Sequence, residues 1–202
     1  ALNHCAFREQ SGLSVTDAKG HVRLDTAHIA LPDFRLTTPV SWLKASADMD
    51  FSTFADTNPG VMRLKMDASV GKSDMLLALG MMPLQFVLRL PELPLALHAD
   101  INGNMKSLKI RDISAKLPTA FNIKADGKAG NLTDIDRLTA DINLDARADN
   151  ISFLQPALGL DKNTAVRIPN GITLKGNCKV NGPQYATEFV ATQGGGSVRG
   201  RG

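Results

Sequence analysis

Between Leu93 and Ile101 the odd positions read Leu93, Leu95, Leu97, Ala99 and Ile101, with Pro94, Ala96, His98 and Asp100 between them. Leu138, Ala140, Ile142, Leu144 and Ala146 repeat the pattern against Thr139, Asp141, Asn143, Asp145 and Arg147. Successive side chains of a strand point to opposite faces, so each run predicts a strand with one apolar and one wetted face. The same rhythm runs through Leu43, Ala45, Ala47, Met49 and Phe51, and through Met62, Leu64, Met66, Ala68 and Val70. Ile29 and Leu31 lead into Phe34 and Leu36 across Pro32-Asp33. Turn-forming residues punctuate the runs at Asp17-Ala18-Lys19-Gly20, Asp56-Thr57-Asn58-Pro59-Gly60, Asn102-Gly103-Asn104, Asp126-Gly127, Gly130-Asn131, Asn170-Gly171 and Asn181-Gly182-Pro183. Such spacing predicts antiparallel meanders.

Two places break the strand rhythm. Ser73-Asp74 precedes Met75-Leu76-Leu77-Ala78-Leu79 with Gly80 following, which predicts a short capped helix. Asp149-Asn150 before Ile151-Ser152-Phe153-Leu154 predicts a second. These breaks expose an internal repeat of roughly 78 residues, a spacing that signals stacked units. Met62–Ala68 answers to Ala140–Ala146, and Trp42-Leu43-Lys44-Ala45 to Asn122-Ile123-Lys124-Ala125. Leu90-Pro91 answers to Ile168-Pro169, and Ile101-Asn102-Gly103 to Val180-Asn181-Gly182. The expected organisation is one repetitive segment over 1–202, with units near 13–90 and 91–170 and the start of a third at 171–202. The expected fold class is all-β with one or two short helices, its meander repeats curled into an elongated β-groove. A closed β-sandwich is the alternative, because alternation asks only for one apolar face and leaves open what covers it.

Composition sharpens the picture. Hydrophobic residues make up 43% of the chain but aromatics only 5%, with one Trp and one Tyr, so the apolar face is aliphatic. That suits acyl chains better than bases or sugars, which are gripped by aromatic stacking. The net charge of +3 comes without a basic cluster interleaved with aromatics, which argues against nucleic acid as a partner. Cys5 and Cys178 stand in unlike contexts and read as independent thiols rather than a disulfide framework. The apolar stretch from Met75 to Leu88 is interrupted by Gly80, Pro83 and Gln85 and falls short of the ~20 residues a membrane span needs. The chain opens within a strand pattern at Ala1, which reads as a fragment of a longer protein.

No catalytic constellation stands out, and neither an enzyme nor a cofactor is expected. His4, His21, His28 and His98 lack metal-ligand spacing and read as surface histidines. Cys5 beside His4 cannot make a thiol–imidazole pair, since neighbours on a strand face opposite ways. Asp134 and Asp136 resemble a fragment of a calcium loop, but the ligand spacing stops there, which favours a turn. Gly194-Gly195-Gly196 lacks the Lys-Ser/Thr of a phosphate loop. What remains is the apolar face, whose expected wall is Leu43, Met49, Leu64, Met66, Leu95, Leu97, Ile101, Leu108, Ile110, Ile123, Ile142 and Leu144.

Several phrases carry a family resemblance: Gly20-His21-Val22-Arg23-Leu24-Asp25 through Leu36-Thr37-Thr38, Ala125-Asp126-Gly127-Lys128-Ala129-Gly130-Asn131-Leu132, and Asp149-Asn150-Ile151-Ser152-Phe153-Leu154. Together with the strand rhythm they resemble AsmA/TamB-type proteins, most closely the long TamB-like members of the Bacteroidetes kind. The resemblance implies a large envelope protein of a Gram-negative bacterium, held in the inner membrane by an N-terminal anchor outside this chain, with its bulk in the periplasm. It implies an Omp85-type outer-membrane barrel as partner. It also implies a groove that holds and conducts phospholipid acyl chains between the membranes, supporting outer-membrane biogenesis. The listed aliphatic residues would then be the lipid-binding wall. The alternative function is a scaffold that templates barrel strands by β-augmentation; a surface β-solenoid with a closed, dry core is a third reading.

Overall fold

The computed structural model describes residues 1–10, 12–55, 57–78, 91–152 and 169–202. Its strands are β1 (Leu2–Arg8), β2 (Ser14–Gly20), β3 (Arg23–Leu24), β4 (His28–Thr37), β5 (Trp42–Asp50), β6 (Met62–Val70), β7 (Leu95–Gly103), β8 (Leu108–Leu117), β9 (Phe121–Gly130), β10 (Thr139–Ala148), β11 (Ile172–Asn181), β12 (Gln184–Gln193) and β13 (Gly196–Arg201). All belong to one 13-stranded antiparallel sheet in chain order, with the short β3 pairing only with β4. The sheet is open, with β1 and β13 at its edges. The elongated meander is therefore the fold, and the closed sandwich is not: every described strand pairs with its sequence neighbour, leaving none to build a second layer.

Two expected turns, and the Pro32-Asp33 crossing, prove to be strand. Asp17–Gly20 is the second half of β2, and the chain turns only after it. Pro32-Asp33 lies inside β4, where the pairing jumps from Leu31↔Ala47 to Phe34↔Ala45. That bulge absorbs the proline, which cannot donate to a ladder. Asp126-Gly127 sits in the middle of β9, where Gly127 has φ +148° and a Cβ there would lie 2.1 Å from the carbonyl oxygen of Asp141. The glycine marks a close approach of β10 rather than a reversal of the chain.

One end of the sheet carries α1 (Lys72–Ala78). It starts earlier than the expected Met75–Leu79, with the Met75 amide donating to the Gly71 carbonyl at 3.0 Å. Asp74 does not cap it. Its carboxylate instead accepts from the Ser41 hydroxyl at 2.6 Å and from the Thr38 hydroxyl, tying the helix to the β4–β5 turn. Ser41 Oγ in turn accepts the Gly71 amide at 2.9 Å. Met75 packs with Leu117 and Ala120, flanked by Val70, Leu76, Leu95 and Phe121, and this cluster seals one end of the apolar face. Of the second expected helix, Ile151 is buried and the Asn150 side chain accepts the Ser152 hydroxyl at 2.8 Å. The rest of it, with the distal part of the 75–88 stretch, Leu90 and Ile168, lies outside the described residues.

Turns at the other end are stitched to one another. The Leu132 amide donates to Met105 O at 2.8 Å, and the Gly182 amide to Leu138 O at 2.7 Å. Asp134 and Asp136 do form a turn: Asp134 accepts from the Asp136 amide and caps a 3-10 turn over Ile135–Arg137.

Candidate functional site

Directly opposed residues of antiparallel strands share a face, so the register sorts the side chains into cross-strand rows. One row runs Ala18–Leu36–Leu43–Ala68–Leu97–Ala115–Ile123–Ala146–Leu174–Ala191–Val198. The next runs Phe34–Ala45–Met66–Ala99–Ile113–Ala125–Leu144–Gly176–Phe189–Gly200. Neither contains a polar side chain. A third holds Leu31, Ala47, Leu64, Ile101, Ile110, Gly127, Ile142, Cys178 and Thr187, and a fourth includes Met49, Met62, Leu108, Ala140 and Val180. Leu95 stands opposite Val70 beside α1. Leu43, Met49, Leu64, Met66, Leu95, Leu97, Ile101, Leu108, Ile110, Ile123, Ile142 and Leu144 thus share one face of the sheet.

Keeping Leu108 and Ile110 on that face takes a bulge. Their even positions would oppose Ile113, Ala115 and Leu117 in a regular strand. Between Ile110↔Gly127 and Ile113↔Ala125 β8 spends one residue more than β9, which restores the phase. The polar doublet Arg111-Asp112 is the sequence trace of this bulge, as Pro32-Asp33 is in β4. The two bulges lie about one repeat length apart. Register also places repeat partners together: Leu43 with Ile123, Ala68 with Ala146, Met66 with Leu144 and Leu64 with Ile142. It corrects one match, because Ile101 shares its row with Cys178 and not with Val180.

From β5 to β13 the first row alternates large and small residues strand by strand, and the second does so in the opposite phase. The result is a checkerboard of aliphatic knobs and Ala or Gly pits. One pit, at Gly176, is an apolar hollow of about 350 Å³ walled by Leu144, Leu174, Cys178 and Phe189. Burial along the wall is uneven: Ala18 and Ala68 are buried, while Ile113, Ile123 and Phe189 are each 38% exposed. Leu174, Phe189 and Ile113 belong to this surface but escape a reading by alternation alone. Ile113 is out of phase with Ile110, and Gly176 interrupts the run around Leu174.

The opposite face is polar throughout the central strands, and much of it is internally paired. Lys175 meets Asp145 at 3.0 Å and Arg201 meets Glu188 at 3.1 Å. Asn177 donates to Asp141 at 2.7 Å and to Asn143 at 3.0 Å, while Asn143 donates to Asp126 at 3.0 Å. Each histidine has an aspartate partner from a neighbouring segment: His4 with Asp17 at 2.9 Å, His21 with Asp33 at 2.9 Å, His28 with Asp48 at 3.3 Å and His98 with Asp67 at 2.7 Å. The His21 side chain, then its backbone amide, hold the Asp33 carboxyl below its ordinary range. Asp25 is likewise lowered, first by the Ala27 amide, and Asp134 by the Arg137 side chain.

Among the described residues no cluster of His, Cys, Asp or Glu is placed to hold a metal ion, and no helix is long and apolar enough to cross a membrane. Cys5 and Cys178 are free thiols on β1 and β11, toward opposite edges of the sheet. Comparison with protein-family models, with curated proteins and with solved structures finds no match.

Proposed function

We propose that the apolar face is a groove wall that holds phospholipid acyl chains and lets them move along the sheet. The observation that supports this reading most is a pair of adjacent cross-strand rows, running over ten strands from β4 to β13, without one polar side chain and without a second layer of described residues above them. Covering one methylene is worth about 0.8 kcal/mol, so a chain lying along the wall would be held firmly. Because the wall is aliphatic and repeats, a shift along it exchanges like contacts for like. Headgroups would stay in water. In a longer envelope protein of the AsmA/TamB kind, such a segment would conduct lipid through the periplasm between an inner-membrane anchor and an Omp85-type barrel. The test is mass spectrometry of an organic extract of the protein, purified without detergent, beside a mock purification. Phospholipid or fatty acid at a reproducible ratio supports the groove. A lipid-free, monodisperse protein overturns it and moves the weight to strand templating at the sheet edges.

A further inference from the structure

The polar face has its own concavity, a basin of about 720 Å³ lined by Lys109, Arg111, Lys128 and Lys179 with Asp126 and Asp141. Opposed charges on this face mostly alternate in sign: Lys44 faces Asp67, Lys65 faces Asp100, and Asp145 stands between Lys124 and Lys175. The basin departs from this. Lys109 lies directly opposite Lys128, an arrangement that costs stability in a sheet. Asp141 stands opposite Lys128 on its other side, so the basin sets four cations against two carboxylates and keeps a surplus of positive charge. Asp126 is taken by the Asn143 amide at 3.0 Å, and Asp141 by the Asn177 amide at 2.7 Å and by Lys179 at 3.8 Å. Among the described residues neither Lys109 nor Lys128 has an ion-pair partner, and the contact of Arg111 with Asp100 is a long 3.8 Å. Another like-charged row, Lys19–Arg35–Lys44, is compensated: Lys19 meets Asp17 at 3.6 Å and Lys44 lies over the Trp42 ring. The β8 bulge falls at Arg111, where bulges re-aim side chains at functional sites.

From these observations we infer that the basin binds a diphosphate or longer polyphosphate group. One phosphate sits between Lys109, Arg111 and Lys128, whose paired lysines supply the positive point charges a phosphate dianion requires. Lys179 lies two strands beyond Lys128, about 10 Å away at the usual strand spacing, too far to share that phosphate. It receives the next anionic group. This site is on the face opposite the acyl groove and does not rest on that reading.

The probe is inorganic tripolyphosphate, titrated into the protein by calorimetry at low ionic strength with sulfate as the ionic control. Saturable binding is expected, weakened about tenfold or more by the double variant Lys109→Gln/Lys128→Gln, since two charged hydrogen bonds to the phosphate are lost. Lys65→Gln/Lys175→Gln, on the same face outside the basin, should leave it unchanged. Absence of saturable binding, an equal response to sulfate, or equal loss in the Lys65/Lys175 control overturns the assignment. Circular dichroism of both variants guards against misfolding. Flotation with phosphatidylcholine vesicles, with and without a polyprenyl diphosphate lipid, separates two sources of the same chemistry. Diphosphate-lipid-dependent flotation that tripolyphosphate competes away identifies a lipid headgroup; retained tripolyphosphate binding without flotation identifies a soluble phosphate.

Discussion

The two faces of this sheet are built from alternate residues of the same strands, yet they stand differently toward their surroundings. On the wet face aspartates, lysines, asparagines and histidines answer one another across strands, as in His98–Asp67 and the Asn177–Asn143–Asp126 ladder. Exposed pairs of this kind contribute little stability, but they leave much of that face satisfied as it stands. The apolar face has no such closure. Among the described residues helix α1 seals it around Leu117 at one end, and elsewhere many Leu, Ile, Met and Phe side chains stay partly exposed. A sheet normally buries its apolar side against a second layer, and the described strands supply none here, which is the feature the proposed groove rests on. The difference teaches which face is answered by its own side chains and which is left with apolar surface over among the described residues.

Charge placed on the apolar face should break the comparison most severely, and differently at its sealed and open parts. Leu117 is 2% exposed, so Leu117→Asp buries an unpaired carboxylate and should abolish cooperative unfolding in urea. Leu97→Asp, on the open wall, should leave the strand signal in circular dichroism largely intact while removing bound acyl chains from the purified protein. If Leu97→Asp also unfolds the protein, the wall is a closed core and the contrast between its two parts disappears. A smaller effect is expected from Gly127→Ala, which forces a Cβ onto the Asp141 carbonyl at a φ of +148°. A cost of about 1–3 kcal/mol should register as a lowered urea midpoint. Asp74→Ala removes the acceptor of the Ser41 and Thr38 hydroxyls. It should cost about 1–2 kcal/mol and raise hydrogen exchange in α1 without changing acyl content.

What the sequence made legible was whatever is local. Period-two alternation located β4 to β7 and β10 and put the apolar residues of β5, β6, β7 and β10 on one face, because pleating decides that within a regular strand. Leu108 and Ile110 join the face only through the β8 bulge. Turn chemistry was less dependable: the same Asp-Gly pairing that closes hairpins served at Gly127 to admit a neighbouring backbone, and only the register distinguishes the two uses. The bulges of β4 and β8 were written as polar doublets, but their effect on phase appears only against β5 and β9. The checkerboard and the Gly176 hollow depend on which residues stand side by side across strands, such as Met66 with Ala99 and Leu144 with Gly176, information that no short window along the chain contains. The histidines illustrate the same limit. Asp67 is 31 positions from His98, and their pairing follows from the β6–β7 register rather than from any motif.

Acid offers the mildest separation of the two faces. Asp25 accepts the amides of Ala27 and His28, both at 2.8 Å, and so holds the bend that leads into β4. Asp33 holds the His21 amide at 2.9 Å, and Asp134 the Asp136 amide at 3.2 Å. All three carboxyls lie below their ordinary value in the folded chain, which means that folding favours their charged forms. Their contribution is complete above the ordinary aspartate range and disappears as the pH falls through the lowered folded values. Protection factors at Ala27, His28, His21 and Asp136 should therefore hold steady from neutral pH down to that range and decline below it. The amides of Leu97 and Ala99, set in the middle of β7, depend on no carboxylate and should keep their protection, and bound acyl chains should stay. Simultaneous loss at β7 would show that the polar pairs support the whole sheet, and the two faces would then have to be treated as one cooperative structure.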